Sequence, residues 1–190
     1  MLLAIFKPNV KVLSLFALLA FICVGGVIQT YAFIDDVSEV PKPPLYDVLK
    51  PIDLWFPWML FSTPIHMLGN VFNLWWMLEY FPEFVAGFKL PPASIVYAYI
   101  VSCCTVYCWK KWFKHSRHKG RLIVLSIIIA AIINPPFAFI NMPLTLNLLT
   151  FTISGFTLTA IVILVYTILF HGLCKGTSLL IETRGTIGKT

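Results

Sequence analysis

The chain has 190 residues, of which 59% are hydrophobic and only 12% are charged, and its mean hydropathy is +0.87. Soluble domains carry about 25% charged residues, so this composition lacks the polar side chains that a water-exposed surface needs. The net charge of +6 comes from basic residues at the ends of apolar runs, which favours a membrane surface over nucleic acid. We therefore predict an all-α integral membrane protein, a single membrane domain over residues 1–190, with no nucleic-acid partner.

The first apolar run, residues 12–34, is long enough to cross a bilayer, since about 20 helical residues span about 30 Å. Lys7 and Lys11 precede it, and Thr30-Tyr31-Ala32 near its end is also similar to the cleavage site of a secretory signal peptide. We favour a retained helix. The next segment, residues 35–53, holds five acids and four prolines, so we expect an exposed, extended loop without a further element.

The second apolar run, residues 54–78, contains Pro57 and Pro64. The tryptophans Trp55 and Trp75 mark its two ends, and about 20 helical residues between them rise about 30 Å, the distance between the two interfacial aromatic belts. We therefore predict a full crossing that is kinked at Pro64.

Three further apolar runs follow, at residues 93–109, 122–142 and 144–170, and Pro135-Pro136 interrupts the middle one. A basic loop, residues 110–121, separates the first two of these runs, and a polar C-terminal tail, residues 171–190, follows the last. The sequence thus predicts a polytopic transmembrane helical bundle with about five spanning helices.

The distribution of lysine and arginine predicts the orientation of the bundle. With five crossings, eleven of the 14 basic residues fall on the side of the basic loop and the C-terminus. A four-crossing alternative, in which residues 54–78 dip into the membrane without crossing, also gives eleven against three, because Lys7 and Lys11 exchange sides with Lys42 and Lys50. Both arrangements place the C-terminus in the cytoplasm and the protein in the cell membrane, and the side of residues 35–53 distinguishes them.

Polar side chains form two stripes at helical spacing, and a polar group in lipid needs a partner. The stripe on the second run is Ser62, His66, Asn70 and Asn73, and the stripe on the fifth is Asn147, Thr150, Ser154 and Thr157. Our hypothesis is that the two stripes meet in the bundle interior as a binding path or as packing contacts. His66 lies near the membrane midplane, where a histidine either carries a proton or ligand or hydrogen-bonds a neighbouring helix.

The His66-x-x-x-Asn70 spacing, together with Ser154-Gly155 and His171, resembles fragments of the rhomboid intramembrane proteases. That resemblance implies a serine protease in which Ser154 is the nucleophile and His171 the base. The chain departs from the family pattern at Thr152, which replaces the first glycine of the serine motif. Ser154 and His171 also fall on one predicted helix, about 25 Å apart, too far to share a proton.

The basic loop is the strongest charge cluster and is predicted to contact anionic lipid head groups, each charge contributing about 1 kcal/mol. Its basic residues are Lys110, Lys111, Lys114, Arg117, Lys119 and Arg121. The chain has no nucleotide-binding loop, no zinc-protease motif and no acid cluster within the apolar runs, so we predict no cofactor, no metal site and no catalytic residue.

These features predict a non-catalytic component or accessory subunit of a membrane assembly, with the lipid bilayer and other membrane subunits, or a second copy, as partners. A small transporter or channel with a polar path around His66 is the alternative, and flux lost in His66→Ala would identify it. An intramembrane enzyme is the weaker alternative.

Overall fold

The computed structural model describes residues 5–35, 45–49, 51–72, 92–133 and 146–187, and every regular element in these ranges is helical. The predicted all-α class is therefore confirmed for this part of the chain. In order, the elements are α1 (Val10–Asp35), α2 (Tyr46–Leu49), α3 (Trp55–Phe72), α4 (Pro92–Cys108), a π-helical turn (Trp109–Phe113), α5 (Lys119–Ile133) and α6 (Leu146–Ile187).

Three element boundaries differ from those predicted. The segment 35–53 contains α2, a single turn that forms where no proline intervenes and that is anchored by the buried side chain of Leu49. The basic loop is shorter than expected because α5 already begins at Lys119. Helix α6 runs through the predicted polar tail as far as Ile187, since this tail contains no proline to end it.

Two segments of the described chain are long and apolar enough to cross a membrane. They are Val10–Gln29, with a mean hydropathy of 2.4, and Thr152–Ser178, with a mean hydropathy of 2.3. Helix α3 has 18 residues with Pro64 inside, α4 has 17, and α5 is described over 15. Two helices of the described chain thus meet the length and composition requirements for a membrane span, and the prediction of about five crossings is not confirmed.

The helices form a bundle in which α1 packs against α3 and α4, while α6 packs against α3, α4 and α5. Fully buried side chains fill the space between them, among them Leu19, Ile22, Leu54, Phe61 and Val162. In lipid, burial of apolar groups between helices gives little transfer energy, because the acyl chains are equally apolar. Close packing and interhelical hydrogen bonds therefore decide the stability of this arrangement.

Two glycines of α6 mark opposite ends of the bundle. A Cβ atom placed on Gly155 would lie 2.9 Å from Cγ of Asp53, and one on Gly172 would lie 2.9 Å from Cβ of Cys108 and 3.3 Å from the Trp112 ring. The two glycines are 17 positions apart, which corresponds to about 25 Å of helix. We call these two places the Asp53 end and the Trp112 end.

Helices α3 and α4 run in the same direction, from the Asp53 end toward the Trp112 end. Tyr166, between the two glycines on α6, contacts both the Phe61 carbonyl of α3 and the hydroxyl of Tyr97 on α4. Helix α3 starts beside Gly155, and α4 ends beside Gly172, so each follows the direction of α6.

Helices α1 and α5 run in the opposite direction. Phe16 of α1 contacts Tyr99 of α4, and Gln29, further along α1, lies at the Asp53 end. Helix α5 starts at the Trp112 end. Further along it, the hydroxyl of Ser126 lies 3.1 Å from the hydroxyl of Thr167 on α6.

The five-crossing prediction is not confirmed by these directions. Strict alternation places residues 35–53 and the basic loop on one side, but in the structure α2 and Asp53 lie at the opposite end of α6 from Trp112. The tryptophan spacing in residues 54–78 measures the length of one helix and carries no information about the direction of the next.

Candidate functional site

A cluster of polar groups at the Asp53 end joins α1 to the start of α3 through Gln29. This side chain is only 5% exposed, and its Nε2 donates to the carbonyl of Leu49, at 3.1 Å, and to that of Ile52. Its Oε1 accepts from the amides of Leu54, at 2.9 Å, and Trp55, at 2.8 Å. The side-chain amide of Gln29 therefore uses both of its N–H donors and both lone pairs of its oxygen to hold the α2–α3 connection on α1.

Asp53 is the buried acid of this cluster and is 8% exposed. Its Oδ1 accepts from the Phe56 amide at 3.4 Å, which caps the first turn of α3. Burial raises the pKa of the Asp53 carboxyl above its usual value, and hydrogen bonds from the amides of Phe56 and Trp55 offset part of this rise. The absence of a side chain at Gly155 gives the carboxyl its place against α6.

Ser154 joins the same cluster and does not form the proteolytic pair that the rhomboid resemblance implies. Its Oγ accepts from the backbone amide of Asp53 at 3.1 Å. His171 lies at the Trp112 end, with its ring edge-on to Phe113 at a centroid distance of 5.8 Å. The two side chains are 17 residues apart on one continuous helix, so no proton passes between them.

A second polar connection lies in the middle of the bundle and links three helices. The hydroxyl of Tyr166 donates to the Phe61 carbonyl at 2.7 Å, and the hydroxyl of Tyr97 lies 3.1 Å from that of Tyr166. Because Tyr166 uses its proton on Phe61, Tyr97 is the donor between the two hydroxyls. The rings pack as well, with centroids of Phe61 and Tyr97 5.1 Å apart. This connection joins the hydroxyls of Tyr97 and Tyr166 to the Phe61 carbonyl and so links α3, α4 and α6.

The two tyrosines were not predicted, because the predicted polar stripes comprise serine, threonine, asparagine and histidine. An indication was present: both tyrosines lie within apolar runs, and a buried tyrosine hydroxyl needs a hydrogen-bond partner.

Of the predicted stripe on the second run, the structure describes the side chain of Ser62, and this side chain is buried. Its Oγ donates to the Met59 carbonyl at 3.3 Å, and the Thr63 hydroxyl donates to the same carbonyl at 2.6 Å. Both bonds stay within the turn that Pro64 interrupts, so the two side chains stabilise their own helix rather than a neighbour.

The predicted stripe on the fifth run includes one outward-facing residue, which corrects the expectation of an interior face. Thr157 is exposed and donates to its own Ile153 carbonyl at 2.7 Å. The buried face of α6 at this level carries Gly155, Thr159 and Val162. Thr157 lies about 200° around the helix from Thr159, so it cannot share that face.

Other residues of the two stripes lie in segments whose side chains are outside the described part of the structure. These are His66, Asn70, Asn147 and Thr150, whose backbones belong to α3 and α6, and Asn73, which lies beyond α3. The meeting of the two stripes around His66 stays a prediction.

The basic residues of the predicted loop lie at the Trp112 end, and all six are exposed. They are Lys110, Lys111, Lys114, Arg117, Lys119 and Arg121. Within the described ranges none of them pairs with an acid. Lys111 Nζ donates to the Tyr107 hydroxyl at 2.9 Å and lies 4.9 Å above the Trp112 ring, and Lys119 Nζ donates to the Lys114 carbonyl at 3.2 Å.

Aromatic packing holds this charged turn on the bundle. Phe113 is fully buried and stacks on Trp109 at a centroid distance of 5.1 Å. The Lys114 amide donates to the Trp109 carbonyl five residues earlier, the bond that defines the π-helical turn. Because Gly172 lets Trp112 approach α6, the basic side chains project from a fixed backbone.

No family model, curated protein or solved structure matches this chain.

Proposed function

We propose that the chain is an integral membrane component without catalytic activity, a helical subunit that binds other membrane subunits or a second copy. The observation that carries this proposal is the contrast between its interior and its α5 face. Inside, the polar groups of Gln29, Ser154, Tyr97 and Tyr166 are engaged in contacts between helices. Outside, α5 presents a continuous apolar surface.

The α5 face supports docking because α5 packs chiefly on one neighbour, α6. Its outward side chains are large and apolar, with Val124 at 55% exposure and Ile132 at 73%. The exposed set is Val124, Leu125, Ile127, Ile128, Ile132 and Ile133. Contiguous apolar surface of this kind is covered by lipid or by another protein.

For the membrane topology we propose five embedded helices, of which α1, α4, α5 and α6 cross completely while α3 enters from the Asp53 end. The opposite positions of Asp53 and Trp112 on α6 support this arrangement. The charge distribution supports a Trp112 end, and both termini, on the cytoplasmic side of the cell membrane. Only three basic residues, Lys42, Lys50 and Lys89, fall on the other side in this arrangement.

Purification from native membranes tests the proposal. We expect the chain to stay in the membrane pellet after alkaline carbonate washing, and to elute in mild detergent with a protein mass above 21.5 kDa. Ile132→Ser on the α5 face should lower the amount of bound partner, while the matched control Leu13→Ser on the exposed side of α1 should not. Release by carbonate contradicts the membrane proposal, and a bare monomer contradicts the subunit proposal.

A further inference from the structure

We propose that the start of α5 is a binding site for one anionic phospholipid, with its phosphate at Arg121 and one acyl chain along the adjoining groove. This inference rests on the membrane role proposed above. It assigns Val124, Leu125 and Ile128 to the acyl chain and leaves the other residues of the exposed α5 set, Ile127, Ile132 and Ile133, for the subunit contact. It goes further in assigning a discrete site, one headgroup contact and one path for the acyl chain.

The groove is an open depression of about 410 Å³ on the outer surface of α5. It is lined by Gly120, Arg121, Val124, Leu125 and Ile128. The last four occupy helical positions i, i+3, i+4 and i+7 and so share one face. Arg121 is therefore the charged residue at the mouth, and the remaining side chains make an apolar track that leads away from it.

The direction of the groove suits a lipid that lies along the helix. Arg121 is in the first turn of α5, at the Trp112 end, and Ile128 lies seven residues, about 10 Å, further along. A headgroup at the bundle end and an acyl chain beside the helix need a charged surface followed by an apolar one, as Arg121 and the apolar lining residues provide. Gly120 leaves the mouth open, since nothing lies within 4 Å of a Cβ placed there.

The chemistry of Arg121 and its neighbours favours an anionic lipid over a zwitterionic one. A guanidinium group binds a phosphate with two parallel hydrogen bonds. The exposed basic residues around it have no acid partner within the described ranges, so the local field repels the ammonium group of a zwitterionic headgroup and favours a headgroup with a net negative charge. Lys111 is held on Tyr107 and Trp112, which leaves Arg121 as the basic residue that lines the groove.

Lipid binding to the full chain in phosphatidylcholine nanodiscs tests this site, with long-chain phosphatidylglycerol as the probe. Arg121→Gln is expected to weaken phosphatidylglycerol binding about fivefold. The matched variant Lys111→Gln removes the same charge outside the groove and should change binding much less. Gly120→Phe should block the mouth, whereas Leu13→Phe, on the exposed side of α1 and away from the groove, should not.

Several outcomes would overturn the site. Equal losses in Arg121→Gln and Lys111→Gln would mean that total charge, not the groove, attracts the lipid. Equal competition by inorganic phosphate or a short-chain phosphatidylglycerol would remove the acyl chain from the proposal. Normal incorporation into nanodiscs with no preference for phosphatidylglycerol contradicts this site alone, whereas failed incorporation contradicts the membrane role on which it rests.

Discussion

Asp53 shows how a single residue can make the stability of this bundle depend on pH. Its carboxyl is buried against α6, and burial raises its pKa from the usual value of 3.8. The folded state therefore binds a proton more tightly than the unfolded state does. The resulting stabilisation is fully present below about pH 4 and is lost as the pH rises through the folded pKa.

We expect Asp53→Asn to remove this pH dependence. The variant keeps an acceptor for the Phe56 amide but has no charge to bury, so at pH 7.5 its unfolding midpoint in mixed detergent micelles should equal or exceed that of the native chain. Asp47→Asn is the matched control, because Asp47 is exposed. A native chain whose stability rises from pH 4.5 to pH 7.5 through Asp53 would contradict the assigned direction.

Gly155 should tolerate no side chain, because its Cβ position is already filled by Asp53. Gly155→Ala is expected to cost about 1–3 kcal/mol of unfolding free energy, the usual cost of overpacking a tight contact. Gly120→Ala is the matched control on α5: it meets no atom and should be neutral or slightly stabilising. Thermal unfolding in detergent compares the two, and similar losses in both variants would rule out the close contact with Asp53.

At the level of residues, the sequence predicted features that depend on one side chain better than features that depend on a distant partner. Exposure of the six basic side chains follows from their charge, and it was expected. The outward position of Thr157 was not, because stripes of polar residues report which residues share a face but not which face is buried. Partners such as Gln29 and Leu54, or Tyr97 and Tyr166, are distant in sequence, and no local pattern predicts them.

At the level of elements, hydrogen bonds between tyrosines couple α4 to α3 through α6. Tyr166→Phe removes a donor to the Phe61 carbonyl and an acceptor for Tyr97, and we expect it to cost about 1–2 kcal/mol. Tyr97→Phe removes one bond and should cost about 0.6 kcal/mol. If the hydroxyls interact, the double variant will be less destabilised than the sum of the single variants.

Tyr99→Phe provides the control for this cycle. Its hydroxyl donates to the Phe6 carbonyl, outside the contact between helices, at 3.0 Å. The loss of unfolding free energy in Tyr99→Phe should therefore add to the loss in Tyr166→Phe without an interaction term. Strict additivity of Tyr97→Phe with Tyr166→Phe, measured by unfolding in mixed micelles, would show that the two hydroxyls do not interact.

The apolar runs predicted that helices form, but they predicted the residues at which the helices end less accurately. The runs at residues 12–34 and 93–109 lie within two residues of α1 and α4 at each end. The extension of α6 to Ile187 was not predicted, because the sequence changes there from apolar to polar residues while the helix continues. A change in polarity marks where a helix leaves an apolar environment, and only proline or a cap ends it.

For the whole molecule, the parallel course of α3 and α4 is the feature that charge counting cannot supply. Four and five crossings divide the basic residues equally, eleven against three, so the rule that locates cytoplasmic loops gives no preference. The contacts across the bundle support the arrangement that we propose above, in which α3 does not cross completely. Because Asp53 and Trp112 meet α6 about 25 Å apart, the ends of the bundle can be told apart by labelling one residue at each.

Membrane-impermeant maleimide applied to intact cells tests the proposed topology. Asp47→Cys, introduced together with Cys174→Ser, places an exposed thiol at the Asp53 end, and we expect it to react from outside. The native exposed Cys174 follows Gly172 on α6, so it lies at the Trp112 end and should react only after the cells are permeabilised. Ser116→Cys, also with Cys174→Ser, should behave as Cys174 does, because the basic turn packs beside Gly172.

Cys23 and Cys103 are buried and should stay unlabelled in both states. If the thiols at positions 47 and 174 reacted from the same side, the two ends would share one compartment, and the assignment of complete crossings to α1, α4, α5 and α6 would be wrong.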